Sequence, residues 1–364
     1  MKEKKTETRH VGIDLGKRTY EMAIVDSKGK VKVSSGKTYV ASRQSLYKKL
    51  KSSDKVALEA GNMAFMIAKE IEAIVGCKVF VLNPGSLAII YKSMKKTDKE
   101  DALKLAHLIQ DFQEERLPTV PVPSDKEMNR RKLVAGYNRA HKNRTRSINQ
   151  LHGLFLIQGI TTIVKKDLAT TESRREAIEV LNGLELKEAK YLLKCLELYE
   201  ERIKELDLMI EEESIGDKQI ELLKSIPGVG PKTSFAFISH VAAERFEKAS
   251  QVSNYLGIVP RVYMSGDTVR YGKITKRGNG YLRALLVQSA WALVRSNDGG
   301  KLKDRYKYMT KEKSISKKKA IVAIARRLAE LMYTLLKYEA TYICMPLVIE
   351  KKEVNPKKQL AKCA

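Results

Sequence analysis

The sequence has few of the residues that build disulfide frameworks and zinc sites. Its four cysteines, Cys77, Cys195, Cys344 and Cys363, lie far apart in a chain of 364 residues. Its five histidines are scattered and show no HExxH spacing, the pattern of a helical zinc site. Thiols spaced in this way match neither a disulfide scaffold nor a zinc finger. We therefore expect reduced thiols and no structural zinc.

Long apolar runs are also missing. No run approaches the roughly 20 residues that a helix needs to span a bilayer. The first ten residues, MKEKKTETRH, lack the apolar region of a secretory signal peptide. These absences predict a cytoplasmic protein that has no membrane partner.

Positive charge is abundant. The chain has 69 Lys and Arg against 43 Asp and Glu, a formal net charge of +26, and 43% hydrophobic residues predict that it folds. Such a surplus repels itself in a compact fold unless a polyanion neutralises it. Nucleic acid is the first candidate, which would place the protein at the nucleoid. Non-specific phosphate binding and an acidic membrane surface are the alternatives.

The first hundred residues alternate strand and helix signals. Three strands joined by tight turns, followed by strand–helix alternation, predict a mixed α/β sheet. The expected strands are 10–16, 20–26, 30–35, 55–60 and 78–83, and the expected helices are 45–50 and 64–75.

Two capping boxes predict helix starts further along the chain. Thr97 with Glu100 opens one helix, and Ser124 with Glu127 opens a basic helix that extends to about Ile157. Residues 124–158 contain eight Lys or Arg and only two acidic residues. This composition is typical of a face that contacts a nucleic-acid backbone, and equally of a solvated charged face. The candidates for backbone contact are Arg130, Arg131, Arg144 and Arg146.

Three prolines separate the two helices and predict a stiff, extended linker at 118–123. The sequence thus predicts an α/β domain at 1–117 and a basic helix with a coiled coil at 118–216. A mostly α domain at 217–350 and a disordered tail from Lys351 to Ala364 follow.

Within the predicted coiled coil, apolar residues recur in alternating steps of four and three, which is a heptad seam. Such a seam needs a partner helix. The basic helix could return against it as a hairpin, or another subunit could supply the partner, and the sequence leaves both open. The seam consists of Leu192, Leu196, Tyr199, Ile203, Leu206 and Ile210.

Four carboxylates have positions that suit phosphoryl transfer. Asp14 lies on the first predicted strand, Glu59 ends the fourth, and Asp98 and Asp101 begin a helix. Two such charges 4 Å apart repel by about 4 kcal/mol at an effective dielectric of about 20, so a converged cluster needs cations. Oxygen ligands of this kind suit Mg²⁺ or Mn²⁺. Taken singly, an acid in such a position is more often a turn or helix-cap residue than a metal ligand.

The segment IPGVGP (226–231) predicts a helix–hairpin–helix turn. Its glycines Gly228 and Gly230 permit a sharp turn, and the following helix would offer free N–H groups to a phosphate. Lys232 and Thr233 would add side-chain contacts. An ordinary loop between two helices is the alternative.

Ser265, in the segment PRVYMSGD, is a candidate nucleophile. A serine beside glycine is usually a loop residue, but nearby cations would stabilise a pentavalent phosphorane here. Asp267 and the acidic cluster are both candidates for its general base, which stays open. The cations are Arg270, Lys273, Lys276, Arg277 and Arg283.

In combination and order these motifs resemble the insertion sequence one-hundred-ten family of transposases, also called the DEDD transposases. The resemblance covers nearly the whole chain apart from the heptad segment and the tail. The matching segments are GIDLGK (12–17), ALEAGN (57–62), VLNP (81–84), KTDKEDALKLA (96–106), IPGVGPKTS (226–234) and YLGIVP…SG…KRGNGYLRALL (255–286).

The resemblance implies a RuvC-like, ribonuclease-H-like domain with the tetrad Asp14, Glu59, Asp98 and Asp101, and a C-terminal domain with Ser265 as nucleophile. It also implies a coiled coil between the domains and a structured non-coding guide RNA that pairs with donor and target DNA. One departure is Ser234, where the family has a small residue such as alanine.

These observations together predict a Mg²⁺-dependent DNA recombinase that acts as a homo-oligomer, a dimer or tetramer. Two alternatives remain. One is a RuvC-like nuclease in which metal-bound water attacks the phosphate, and the other is a nucleic-acid-binding protein without enzymatic activity.

Overall fold

A computed structural model describes residues 8–61, 63–90, 97–266 and 268–344. The chain divides into two units, 1–124 and 125–364, with the tail from Lys351 and the candidate base Asp267 outside the described residues. No helix in the described part of the chain is long and apolar enough to cross a membrane.

The first unit is built on a mixed five-stranded sheet with the strand order β3-β2-β1-β4-β5. The pairs β1–β2 and β2–β3 are antiparallel, whereas β1–β4 and β4–β5 are parallel. This arrangement confirms the predicted mixed α/β sheet. The strands are β1 (His10–Leu15), β2 (Thr19–Val25), β3 (Val31–Lys37), β4 (Lys55–Glu59) and β5 (Lys78–Leu82).

Four helices accompany the sheet: α1 (Val40–Tyr47), α2 (Ala64–Val75), α3 (Pro84–Ile90) and α4 (Asp98–Asp111). The predicted bounds of α2 are confirmed, and the helix predicted around 45–50 exists but lies earlier in the chain, because α1 begins at Val40 and ends at Tyr47. Its first half is fixed by Arg43, which is buried and donates to the carboxylate of Glu70 on α2 at 2.8 and 2.9 Å. A hydrophobic pattern counts this arginine as outward-facing and therefore misses the first half of the helix.

The two faces of the sheet carry separate cores. Val11, Ile13 and Leu58 lie in a core with apolar residues of α1 and α2. Ala57 lies in the other core, with Leu105 and further residues of α4. Alternate residues of each strand thus face α4, as the pleat of a strand requires.

The capping box at Thr97 is confirmed as a helix start, since Thr97 Oγ1 accepts from the Glu100 amide at 3.3 Å. The first part of the predicted linker is hydrogen-bonded to β5 and to the residue that follows it. The carbonyl oxygen of Pro118 accepts from the Asn83 amide at 2.9 Å, and the Val120 amide donates to β5 at 2.7 Å. This segment therefore runs along the edge of the sheet.

The second unit is mostly helical and carries one β-hairpin. Its α-helices are α5 (Asp125–Ile157), α6 (Thr171–Ala177), α7 (Gly183–Glu212), α8 (Lys218–Lys224), α9 (Pro231–His240), α10 (Ala249–Tyr255), α11 (Gly280–Arg295), α12 (Gly300–Lys307) and α13 (Lys317–Tyr338). The hairpin strands are β6 (Pro260–Ser265) and β7 (Thr268–Ile274). Short 3₁₀ turns lie at Glu114–Arg116, Lys165–Leu168, Ile178–Val180 and Ala243–Arg245, and a π turn at Tyr308–Glu312.

The basic helix α5 has the predicted extent, and α7 contains the heptad seam. The seam packs within the chain against α5, which is the hairpin alternative. A Cβ placed on Gly136 of α5 would lie 3.6 Å from Leu206 Cδ1 of α7. Arg130 near the start of α5 reaches the carbonyl of Glu213 just after α7, so the two helices run antiparallel.

Glu200 of α7 joins three segments of this unit. Its carboxylate accepts from Arg144 of α5 at 2.7 Å and from the buried Arg174 of α6 at 2.6 Å. Burial would raise the pKa of Glu200, but the hydrogen bonds from the two guanidinium groups outweigh it and the pKa is lowered. The remaining donors of Arg174 go to the carbonyls of Leu168 and Ala169.

We predict that Glu200→Ala lowers the free energy of unfolding by about 3 kcal/mol, because it leaves the buried Arg174 charge without a counter-ion. Urea unfolding measures this loss. Glu197→Ala is the matched control, since Glu197 and its partner Arg175 are both exposed and such pairs contribute at most about 1 kcal/mol. Equal losses for the two variants would refute a structural role for the Glu200 network.

Candidate active site and nucleic-acid interface

Asp14 and Glu59 lie side by side at the carboxyl ends of neighbouring parallel strands. The register pairs Ile13 with Leu58, so the next position on each strand is one of these acids. Parallel neighbours in a sheet are about 4.8 Å apart. Both acids follow by two residues a position that faces α4, namely Gly12 and Ala57. By strand alternation they belong to the α4 face of the sheet.

Helix α4 crosses this face antiparallel to β1. A Cβ on Gly12 would lie 2.0 Å from the carbonyl oxygen of Ala102, so the helix backbone rests directly on the strand. The pKa of His10, at the start of β1, is lowered by burial and, to a smaller extent, by the charge of Lys55. The charge of Asp111, at the end of α4, raises it. The end of α4 therefore lies near the start of β1, and its beginning lies near the end of β1.

This orientation brings Asp98 and Asp101 to the edge that carries Asp14 and Glu59. Asp98 precedes Ala102 by four residues, about 6 Å along a helix. Asp14 follows Gly12 by two residues, about 7 Å along a strand. Measured from the contact between Gly12 and Ala102, Asp98 and Asp14 are therefore displaced by similar distances in the same direction.

The carboxylates do not form a closed metal site in this structure. Across residues 8–61, 63–90, 97–266 and 268–344, no three His, Cys, Asp or Glu side chains are close enough to hold a metal ion. Asp101 instead pairs with Lys104 at 3.0 Å. The carboxylate oxygens are of the kind that suits Mg²⁺, but the described side chains as placed do not surround an ion.

Glu21 is an acid at this edge that the sequence analysis missed. It lies on β2 directly opposite Asp14 in the antiparallel register. Its Oε2 atom is buried and has no hydrogen-bond partner within the described part of the chain. An acid between the apolar residues of β2 was the available signal, since alternation places Glu21 away from the core that holds Tyr20 and Met22.

On α5, three of the four arginines predicted to contact nucleic acid have partners within the same unit. Arg130 is only 6% exposed and pairs with Asp217 at 2.6 Å. Arg131 donates to a backbone carbonyl of α9 at 2.7 Å, and Arg144 pairs with Glu200. Their guanidinium groups thus hold α5 to other segments of this unit.

Other cations of α5 are free to bind. Arg139, Lys142 and Arg146 are exposed and make no ion pair with any described residue. Their spacing of three and four residues places them on one side of the helix, which we call the basic face. A shallow cavity of about 470 Å³ lies on this side, and Thr145 and Asn149 also line it.

The turn between α8 and α9 serves internal packing. Gly228 has φ +83°, and a Cβ there would lie 2.7 Å from the backbone of α11. Gly230 caps α9. The expected phosphate contacts of the next two side chains are corrected: Lys232 pairs with Asp207 at 2.7 Å, and Thr233 is buried.

The two candidate serines differ sharply in accessibility. Ser234 is fully buried in α9, and its Oγ donates to the Gly230 carbonyl at 3.1 Å. Ser265 is exposed at the end of β6, where Gly266 with φ +52° begins the turn to β7. Only Ser265 can meet a large substrate in this conformation.

Four of the five cations predicted around Ser265 are exposed: Arg270, Lys273, Lys276 and Arg277. Arg283 is the exception and corrects the prediction. Its Nη1 donates to the carbonyls of Leu256, Arg277 and Gly278 at 3.0, 2.7 and 3.2 Å. Burial lowers the pKa of Arg283. The hydrogen bonds of its guanidinium group fix the loop before α11.

Comparisons with known proteins all point to one class, the transposases. Residues 220–307 match a model of the transposase IS116/IS110/IS902 family, and residues 11–158 match the transposase model of the DEDD type of the IS110 group. A probable family 20 transposase of Pseudomonas aeruginosa is 27% identical over 91% of this chain and 98% of its own length. The transposase for insertion sequence element IS1111A of Coxiella burnetii is 31% identical over 57% of this chain and 58% of its own.

The chain belongs to the IS110 family of transposases. This confirms the resemblance inferred from the motifs. It also accounts for the positive charge, because a transposase acts on DNA.

We predict that replacing the basic face by alanine, in Arg139→Ala, Lys142→Ala and Arg146→Ala together, weakens duplex DNA binding and flattens its salt dependence. The slope of log K against log salt should fall by about 0.9 for each phosphate that the variant no longer neutralises. Fluorescence anisotropy over a salt series measures this slope.

A matched control removes three exposed lysines from the Glu-rich helix α7, at Lys187, Lys190 and Lys194. It changes the net charge by the same amount and should leave the slope close to that of the wild type. Equal effects of the two triple variants would show that total charge, and not the basic face, sets binding.

Proposed function

We propose that this transposase cleaves and rejoins DNA through a phosphoserine intermediate on Ser265. The observation that carries this proposal is the exposure of Ser265 at a hairpin tip among exposed cations, while Ser234 is buried. Cations beside the attacked phosphate favour the extra negative charge of the pentavalent state.

In the proposed step, Ser265 Oγ attacks the phosphorus of a DNA phosphodiester. An Oγ–P bond forms, the bond from phosphorus to one deoxyribose oxygen breaks, and the serine proton ends on that leaving oxygen. The strand is then held as a phosphoserine ester with a free DNA hydroxyl beside it. Attack by a hydroxyl of another strand reverses the step and rejoins DNA without an external energy source.

We further propose that Asp14, Glu59, Asp98 and Asp101 are required for cleavage, with Mg²⁺ or Mn²⁺ as cofactor. The strand order and the shared edge of the four acids support a ribonuclease-H-like, RuvC-like domain. Carboxylates repel a phosphodiester, so these four acids would hold a cation whose charge would offset that repulsion. The metal rests on donor chemistry alone, and the serine step above does not depend on how it binds.

The proposed partners are donor and target DNA, a structured guide RNA and further copies of the chain. The net charge of +26 and the basic face support nucleic-acid partners. The RNA rests on the family resemblance, and the coiled coil rests on that resemblance and on the heptad seam of α7. The helix–hairpin–helix assignment rests on the α8–α9 turn and its capping glycine.

We predict that Asp98→Asn or Asp101→Asn abolishes DNA cleavage while DNA binding persists. Glu100→Gln is the matched control, because it removes one charge from the same first turn of α4. Cleavage of a labelled DNA junction and Mn²⁺ binding followed by electron paramagnetic resonance are the measurements. Full cleavage by both aspartate variants would remove the tetrad from the mechanism, whereas no cleavage by the wild type under any condition would favour the non-enzymatic alternative.

We predict that Ser265→Ala folds and binds DNA but forms no covalent protein–DNA adduct and loses roughly 10⁴-fold or more in cleavage rate, since the nucleophile is gone. A denaturing protein gel with labelled DNA, Mg²⁺ and cognate RNA detects the adduct. Thr268→Ala, at the paired position on β7, is the control and should retain it.

Near-normal cleavage by Ser265→Ala, with no adduct in the wild type, would refute the serine mechanism and establish attack by metal-activated water. An adduct that disappears only in Ser234→Ala would move the nucleophile to Ser234.

A further inference from the structure

Tyr263 is an exposed aromatic side chain on the same face of the hairpin as Ser265. The register pairs Tyr263 with Arg270 and Ser265 with Thr268, and paired residues share a face. The other face carries Val262, Met264, Val269 and Tyr271, by strand alternation. The hairpin thus has one polar, cationic face and one apolar face.

The ring of Tyr263 lies across Gly272. A Cβ placed on Gly272 would be only 3.1 Å from Tyr263 Cε2. Gly272 is not among the glycines with positive φ, so its backbone conformation does not call for glycine. Glycine suits this position because the ring of Tyr263 lies so close to its backbone. One side of the ring is therefore held against the strand, while the side chain as a whole remains 57% exposed.

Two cations flank this ring. Arg270 is directly opposite Tyr263, and Arg261 precedes it by two residues on the same face; a Cβ on Gly272 would also contact Arg261 Cβ at 3.6 Å. Both arginines are exposed, and neither forms an ion pair with a described residue. An aromatic plane between free guanidinium groups is the chemistry that binds a single strand: the ring stacks on a base, and the cations contact phosphates.

We propose that Tyr263 stacks on an unpaired base of the DNA strand that Ser265 cleaves, close to the scissile phosphate. This inference rests on the proposed function of Ser265. Two residues of a strand separate the side chains by about 7 Å, and stacked bases are spaced about 3.4 Å apart. The stacked base would lie about two base steps from the attacked phosphate and fix the register of cleavage.

Charge favours DNA over a second copy of the chain as the occupant of this face. Residues 260–277 contain five Lys or Arg and one Asp. Packing two such hairpins together would place like charges in contact, whereas a phosphodiester strand neutralises them. The exposed ring and the cations are thus satisfied by the same ligand.

The test uses Ser265→Ala protein, which reports stacking without cleavage, and single-stranded DNA of the element end with 2-aminopurine at successive positions. We expect quenching at one position near the cleavage site. Adding Tyr263→Ala should abolish this quenching and weaken binding by about 5- to 140-fold, which corresponds to about 1–3 kcal/mol per stacked base. Tyr263→Phe and Tyr263→Trp should retain both.

Tyr271→Ala is the matched control, because it removes the same side chain from the opposite face of the same hairpin. Tyr263→Leu covers Gly272 without an aromatic plane, so it keeps the hairpin folded and should still lose quenching. Equal effects of Tyr263→Ala and Tyr271→Ala, or full quenching with Tyr263→Leu, would overturn the proposal. The proposal would also be overturned if 2-aminopurine were quenched in RNA of the same sequence but not in DNA. It would equally be overturned if Tyr263→Ala lost self-association while its DNA binding stayed unchanged.

Failure of stacking and failure of the serine mechanism give different results. An adduct on Ser265 without quenching in any DNA refutes the stacking site alone. Quenching that depends on Tyr263, with no adduct in the wild type, refutes the serine chemistry and leaves a strand-binding face.

Discussion

The contact between Gly12 and the backbone of α4 determines the arrangement of the first unit. No side chain fits at this position, because a Cβ would lie 2.0 Å from a carbonyl oxygen of the helix. The helix therefore lies lower on the sheet than side-chain packing would allow, and its first turn meets the ends of β1 and β4. Asp14, Glu59 and the helical turn that carries Asp98 and Asp101 are distant from one another in sequence and come to one edge as a result. A single missing Cβ thus connects the packing of the unit to its candidate chemistry.

The positively charged side chains of the second unit fall into two groups. Some join its helices, and others are exposed and available for binding. Arg130, Arg131 and Arg144 use their guanidinium groups to join α5 to neighbouring helices. Arginine suits this role, because its planar group keeps its charge and donates several hydrogen bonds at once. The surface available to a polyanion is accordingly smaller than a net charge of +26 suggests.

The sequence predicts the five strands of the first unit, the helices α2, α4 and α5 and the family, because alternation, capping residues and ordered motifs are local signals. It does not predict the β6–β7 hairpin. It does not show which arginines are inward-facing: Arg43 and Arg130 are buried by partners 27 and 87 residues away. It also misses Glu21, which acquires significance only from the register that places it opposite Asp14. Positions in space relative to distant partners are what a local pattern lacks.

The exposure of the β6–β7 hairpin links binding to chemistry. A two-stranded hairpin without a packed face is marginally stable in water, and nearly every side chain between Arg261 and Lys273 that the structure describes is exposed. Whatever covers the hairpin therefore stabilises the element that carries Ser265. If DNA is that cover, then the free energy of DNA binding also fixes the serine in position. A nucleophile on such an element is ordered most strongly when its substrate is bound, which limits its reaction with other phosphates.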